Sequence, residues 1–195
     1  PILAVLLLVS SQTGFSRHFR YVLPVMPFMF LYLSRLAIHW KGQATVLSGA
    51  VTLMVAAGLC SSLSVFPYCH SYFNALAGGP WGGRFHLLDS NIDWGQDLLQ
   101  LRRWVETHPD ASPLYAALTT SDSIRDLAVE CEPIPDDQAR RNSRDRALRP
   151  GWYAVSVNHL MGYRIFGAAS VDCRQFQKMQ PVDHVGYSIY LYHIE

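Results

Sequence analysis

The sequence predicts an α-helical transmembrane segment followed by a small α/β extracytoplasmic domain, and three observations carry that expectation. The first third of the chain holds almost none of its charge, although half of all residues are hydrophobic and 16% are charged. From Ala44 to Phe66 the run "ATVLSGAVTLMVAAGLCSSLSVF" is free of charge, and its length suits a hydrocarbon core that needs about 20 helical residues. Beyond residue 84, short strand and helix patterns alternate as in an ordinary α/β domain.

Taken in order, Pro1 to Ser10, "PILAVLLLVS", is too short to span and reads as the tail of a helix that begins upstream. Tyr21 to Ile38 is apolar but interrupted by Pro24, Pro27 and Arg35, so it spans only if kinked, with Arg35 snorkelling to one face. Two spans joined by the short turn His39 to Gln43 put the regions before and after them on one side of the membrane, and the charge near the turn, Arg35, His39 and Lys41, does not say which. Residues 1–66 then form the last helices of a larger membrane body, 67–92 a junction and 93–195 the α/β domain. The junction is dense in aromatics and in Gly78, Gly79, Pro80, Gly82 and Gly83, which favour headgroup depth and turns respectively.

In the domain, Asp93 followed by Gln96 reads as a capping box, and Leu98, Leu101, Val105, Trp94 and Trp104 give a helical apolar stripe ending near Thr107. "LYAAL" at 114–118 reads as a buried strand and "SDSIRDLAVE" as a capped helix. Residues 132–150 form a polar loop, whose arginines Arg140, Arg141, Arg144, Arg146 and Arg149 read as a solvated run. "GWYAVSVNHL" is a strand reaching a polar end, and "VGYSIYLYHI" is a final strand.

Several function classes are excluded. A net charge of +1 without a basic stripe gives no nucleic-acid footprint. Neither a phosphate loop, a dinucleotide fingerprint nor a nucleophile elbow is present, and no His/Cys spacing suggests a metal or another cofactor. Cys60 and Cys69 read as small packing residues. Cys131 and Cys173 lie in the polar part, where an oxidising compartment would let them pair.

Three constellations remain. Asp89, Asp93 and Asp97 are spaced by four in "DSNIDWGQD"; a metal-binding row needs a helix starting at Asp89, whereas "DSN" favours a turn. Asp93 is thus expected as N-cap and Asp97 as a favourable charge in the first turn, with Asp89, Asn91, Asp93 and Asp97 as ligand-binding residues in the competing reading. Asn158 and His159 end a strand, where α/β folds often place ligand groups. Arg17, His18, Arg20 and Tyr21 sit at the edge of an apolar stretch, where guanidinium groups bind phosphate or simply flank a helix.

The stretches "RYVLPVMPFMFLYLSRLA", "HSYFNALAGGPWGG", "LLDSNIDWGQDLLQLRRW", "YAVSVNHLMG" and "VGYSIYLYHI" occur in an order that resembles the terminal portion of bacterial GT-C membrane glycosyltransferases of the dolichyl-phosphate-mannose protein mannosyltransferase-like kind. That resemblance implies a polyprenyl-phosphate-linked sugar donor, contact with membrane lipids, a bacterial inner-membrane location, a cytoplasmic turn from His39 to Gln43 and an extracytoplasmic terminal domain after about His70. It also implies that the catalytic acid, which the family carries near its N-terminus, is missing here, so the chain alone is expected to be inactive. Arg17 and Arg20, with His18 and Tyr21, are then expected to hold the lipid phosphate. The competing reading is an anchored extracytoplasmic module that binds a glycan or protein without chemistry.

Overall fold

The computed structural model of the chain describes residues 1–11, 19–40, 46–119, 129–134, 148–163, 171 and 173–195. They form two compact units, Pro1–Phe66 and Pro67–Glu195.

The first unit holds three helices, α1 (Ile2–Ser11), α2 (Met26–Trp40) and α3 (Val46–Leu63). Pro24 lies in a tight turn, Leu23–Val25, immediately before α2, and Pro27 occupies the first turn of α2, where its missing N–H breaks no helical bond. The prolines therefore start the helix and do not kink a longer one. α2 keeps 15 residues. α3 keeps 18, a length of about 27 Å against a hydrocarbon core of about 30 Å. It ends where the chain turns at residues 64–67, with the Ser64 hydroxyl donating to the Ser61 carbonyl at 2.8 Å.

No helix among the described residues is long and apolar enough to cross a membrane. This finding corrects the transmembrane segment expected from the sequence, and with it the two-span topology. The apolar runs are as long as they looked, but Pro24 and Pro27 at the start of α2 and the turn at residues 64–67 leave shorter helices within them. Much of their surface is uncovered: Leu3, Leu31 and Leu53 are 74%, 69% and 71% exposed, while Val25 is buried.

The second unit is built on a five-stranded mixed sheet in the order β2-β1-β3-β5-β4. Its strands are β1 (Leu114–Ala117), β2 (Glu132–Pro133), β3 (Gly151–Ser156), β4 (Asp183–Val185) and β5 (Ile189–Ile194). β1 runs parallel to β2 and β3, whereas β5 runs antiparallel to β3 and β4. Alternation along the strands sorts the core into two layers. Leu114, Ala116, Ala154 and Leu191 face helix α5 (Leu98–Thr107), which follows the single-turn helix α4 (Gly79–Gly82) in the chain and supplies Leu98, Leu101 and Trp104. Tyr115, Tyr153, Val155, Tyr190 and Tyr192 face the opposite side, against Ile92, Leu160, Cys173 and Phe176. The Trp104 indole N–H donates to Asp183 Oδ2 at 2.7 Å and so ties α5 to the β4 edge.

Two local expectations change. "VGYSIYLYHI" is a hairpin and not one strand, because Gly186 at φ +56° turns the chain between β4 and β5. β2 is a short pairing that the polar loop reading missed. The expected helix at 121–130 lies outside the described residues for 121–128, as do Arg140, Arg141, Arg144 and Arg146 of the loop.

The cysteine pairing also fails. Cys131 packs in the layer facing α5 and Cys173 in the opposite layer, so the sheet separates them, and all four cysteines are free thiols. Denatured without reductant, the chain is expected to titrate four thiols; a count of two would contradict this arrangement.

Candidate functional site

β1 and β3 end at the same edge of the sheet, and β5 begins there, with Ile189 opposite Ser156. In open α/β sheets this is the crevice where ligands bind. Here the chain's own "DSNIDWGQD" fills it.

Asp93 is 2% exposed and Asp97 1%. Asp93 Oδ2 accepts from the Ser156 hydroxyl, and Oδ1 accepts from the Gly95 backbone N–H at 2.9 Å. Ser156 Oγ lies 2.7 Å from Thr119 Oγ1. Asn158, fully buried, donates from Nδ2 to Thr119 Oγ1 at 3.2 Å and accepts the Asp89 backbone N–H at 2.8 Å. Asp97 Oδ2 accepts the Ser188 hydroxyl at 2.7 Å, and the backbone N–H groups of Ser188 and Tyr187 also point at this carboxylate. The β4–β5 turn is thus a small nest of donors around one anion.

Desolvation pushes the carboxyl groups of Asp93 and Asp97 above the usual carboxylate range, while their hydroxyl and backbone donors pull them back. Raised carboxylates often mark reacting groups. These two are almost wholly buried, and protein donors already occupy them.

Asp93 is therefore not the N-cap expected from sequence. α5 begins at Leu98, with Asp97 at the cap position and no side-chain capping bond there. Gly95 at φ +82° bends the chain between Asp93 and the helix, and Gln96 takes another role. Its Oε1 accepts the Trp94 N–H at 2.8 Å, and its Nε2 donates to the Ile92 carbonyl at 3.1 Å and to Ser71 Oγ at 3.2 Å. The local capping-box pattern lost to long-range partners that lie 63 and 91 residues downstream of the two aspartates.

The other candidates separate. Asp89, at φ +63°, accepts the Tyr163 hydroxyl on Oδ2 at 2.8 Å, while Asn91 donates back to the Leu88 carbonyl at 2.8 Å. His159 is buried, which pushes its pKa down. The structure brings Asp89, Asp93, Asp97 and Asn158 together, each aspartate with its own partner. Arg17 and His18 lie outside the described residues. Arg20 is exposed, its guanidinium carbon 5.4 Å from the Tyr21 ring centroid, in the first unit. No group of three or more His, Cys, Asp or Glu among the described residues suits a metal ion.

Sequence reasoning missed the open site. A cavity of about 490 Å³ lies on the tyrosine side of the sheet, lined by Trp81, Arg84, Phe85, Phe176, His184 and Tyr190 among others. Trp81 meets the rings of His184, Tyr187 and Tyr190 edge-on at 4.6, 4.9 and 6.0 Å. The Arg84 guanidinium sits 5.0 Å from the Phe85 ring centroid and 5.3 Å from that of Tyr190. The only available signal was the aromatic and cationic "PWGGRF" beside a tyrosine-rich strand.

No protein-family model matches the chain, and no curated protein or solved structure matches it.

Proposed function

We propose that this chain is the terminal piece of a glycosyltransferase that moves a sugar from a polyprenyl-phosphate carrier to an envelope acceptor at the bacterial inner membrane. In this reading the second unit is extracytoplasmic and supplies no reacting carboxylate. The supporting observation is the convergence of the stretches that carry the family resemblance. At the strand ends these stretches bond to one another in three sets: Gln96 of "DSNIDWGQD" with Ser71 of "HSYFNALAGGPWGG", Asp93 and Asp89 with Ser156 and Asn158 of "YAVSVNHLMG", and Asp97 with Ser188 of "VGYSIY". Four segments scattered over more than a hundred residues are thereby explained as parts of one structural signature. The apolar side chains left exposed on the first unit suit contact with the lipid in which such a carrier dissolves.

Arg20 is the described cation assigned to the carrier phosphate, through charge-assisted hydrogen bonds. In mild detergent, the chain is expected to bind a fluorescent polyprenyl-phosphate hexose without transferring its sugar, and Arg20→Ala should weaken binding about tenfold. No binding by the unsubstituted chain, or equal binding by the variant, would contradict this reading.

The cavity favours a second reading, an extracytoplasmic module that binds a glycan without chemistry. The complete protein separates the two: transfer from the lipid-linked donor belongs to the first, and glycan binding with no transfer to the second.

A further inference from the structure

We infer that the cavity beside Trp81 is a saccharide-binding site selective for sugars that carry a negative charge, as a carboxylate or a phosphate. The inference is independent of the transferase reading, because it rests on the lining of the cavity alone.

Its volume of about 490 Å³ falls within the roughly 300–1,000 Å³ typical of small-molecule sites. Trp81 is 41% exposed while its edge contacts with His184, Tyr187 and Tyr190 fix its orientation. A held but accessible indole is a platform. The negative face of an aromatic ring attracts the weakly positive C–H bonds of a pyranose, and the flat sugar face covers apolar area in the same contact. Phe85, 67% exposed, widens the aromatic wall.

Charge gives the selectivity. Among the described residues the lining holds the Arg84 guanidinium and the His184 imidazole, and no aspartate or glutamate. Burial raises the Tyr190 pKa against the lowering pull of the Arg84 charge beside it. Tyr192 is pushed up to about 12, first by burial and then by Tyr190. Both phenols are therefore neutral at physiological pH and leave the guanidinium charge unbalanced. Arg84 Nε is buried without a hydrogen-bond partner, so the side chain keeps unused donor capacity. Rings on two sides hold the guanidinium in place. Gln177 also lines the cavity, but its Nε2 already donates to the Leu160 carbonyl at 2.7 Å, leaving its amide oxygen to meet a sugar hydroxyl.

The test uses the full chain in mild detergent, titrated calorimetrically with a hexose 1-phosphate, a hexuronate, the neutral hexose and inorganic phosphate. Both charged sugars are expected to bind with Kd of about 1 mM or tighter, with neutral hexose and phosphate each at least about tenfold weaker. Comparison of the two charged sugars identifies which anion the site prefers. Arg84→Met, which keeps the apolar stem, should reduce the charged sugars to the level of the neutral one, and Arg84→Lys should retain part of the preference. Trp81→Ala should weaken every sugar and leave phosphate unchanged. Thermal melts of each variant show that the unit remains folded. If neutral hexose binds as well as the charged sugars, if phosphate alone binds as tightly as hexose 1-phosphate, or if no charged sugar binds below about 10 mM, the assignment is overturned. Equal affinities in Arg84→Met and the unsubstituted chain would also overturn it.

Discussion

Replacing Asp93 by alanine is expected to cost the second unit about 3 kcal/mol, because it strands buried donors at about 1–3 kcal/mol each. The Ser156 hydroxyl and the Gly95 N–H both lose their acceptor at a position only 2% exposed. A lost helix cap would cost only about 1 kcal/mol. Asp93→Ser should not restore stability, since its hydroxyl is too short to reach both donors. Asp93→Asn should stay within about 1 kcal/mol of the parent, with its carbonyl serving Gly95 and its amide serving Ser156. The pH profile adds a second readout. Burial raises the pKa of Asp93 and Asp97 in the folded state, so their contribution to stability is fully present below the unfolded carboxylate value and is lost as pH rises through the raised folded values. The parent chain should thus lose stability on this account as pH rises from the unfolded carboxylate value through the raised folded ones, and Asp93→Asn should lose less. Urea unfolding across that rise measures each effect, and an Asp93→Asn profile as steep as the parent's would contradict it.

Gly186→Ala is expected to cost about 3 kcal/mol or more, from two independent sources. The residue turns at φ +56°, a left-handed conformation that costs a residue with a Cβ about 1 kcal/mol or more. A Cβ there would also run into the Asp97 carboxylate, forcing it away from the Ser188 hydroxyl and the Tyr187 and Ser188 N–H groups. Gly79, also at positive φ but with open space around its Cβ position, is the control. Gly79→Ala should cost only the backbone part, and equal melting temperatures for the two variants would contradict the close approach of the turn to Asp97.

What could be read from sequence followed the range of the interactions involved. β1 and β3 were legible because Leu114–Ala117 and Gly151–Ser156 are continuous buried runs, and the end of α5 at Thr107 because the apolar spacing stops there. The start of α5 was not, since "DWGQ" satisfies a local capping pattern equally well and only Ser156 and Ser188, far downstream, decide against it. The hairpin at Gly186 was hidden inside a stretch of strand-forming residues. The apolar first third misled for a related reason: hydropathy counts residues, whereas Pro24, Pro27 and the turn after Leu63 set how many belong to one helix. The cavity left only the weak linear signal of "PWGGRF", because that stretch, Phe176 and Tyr190 meet only after the sheet has formed.

The central claim is that "DSNIDWGQD" closes the strand ends as a structural staple and does not serve as a ligand site. A double-mutant cycle between Asp93→Ala and Ser156→Ala, measured by urea unfolding through the tryptophan fluorescence of the second unit, tests it most directly. A coupling energy of about 1–2 kcal/mol is expected, as for directly bonded buried groups. Additive effects within about 0.3 kcal/mol, with little loss of stability in either single variant, would contradict the claim.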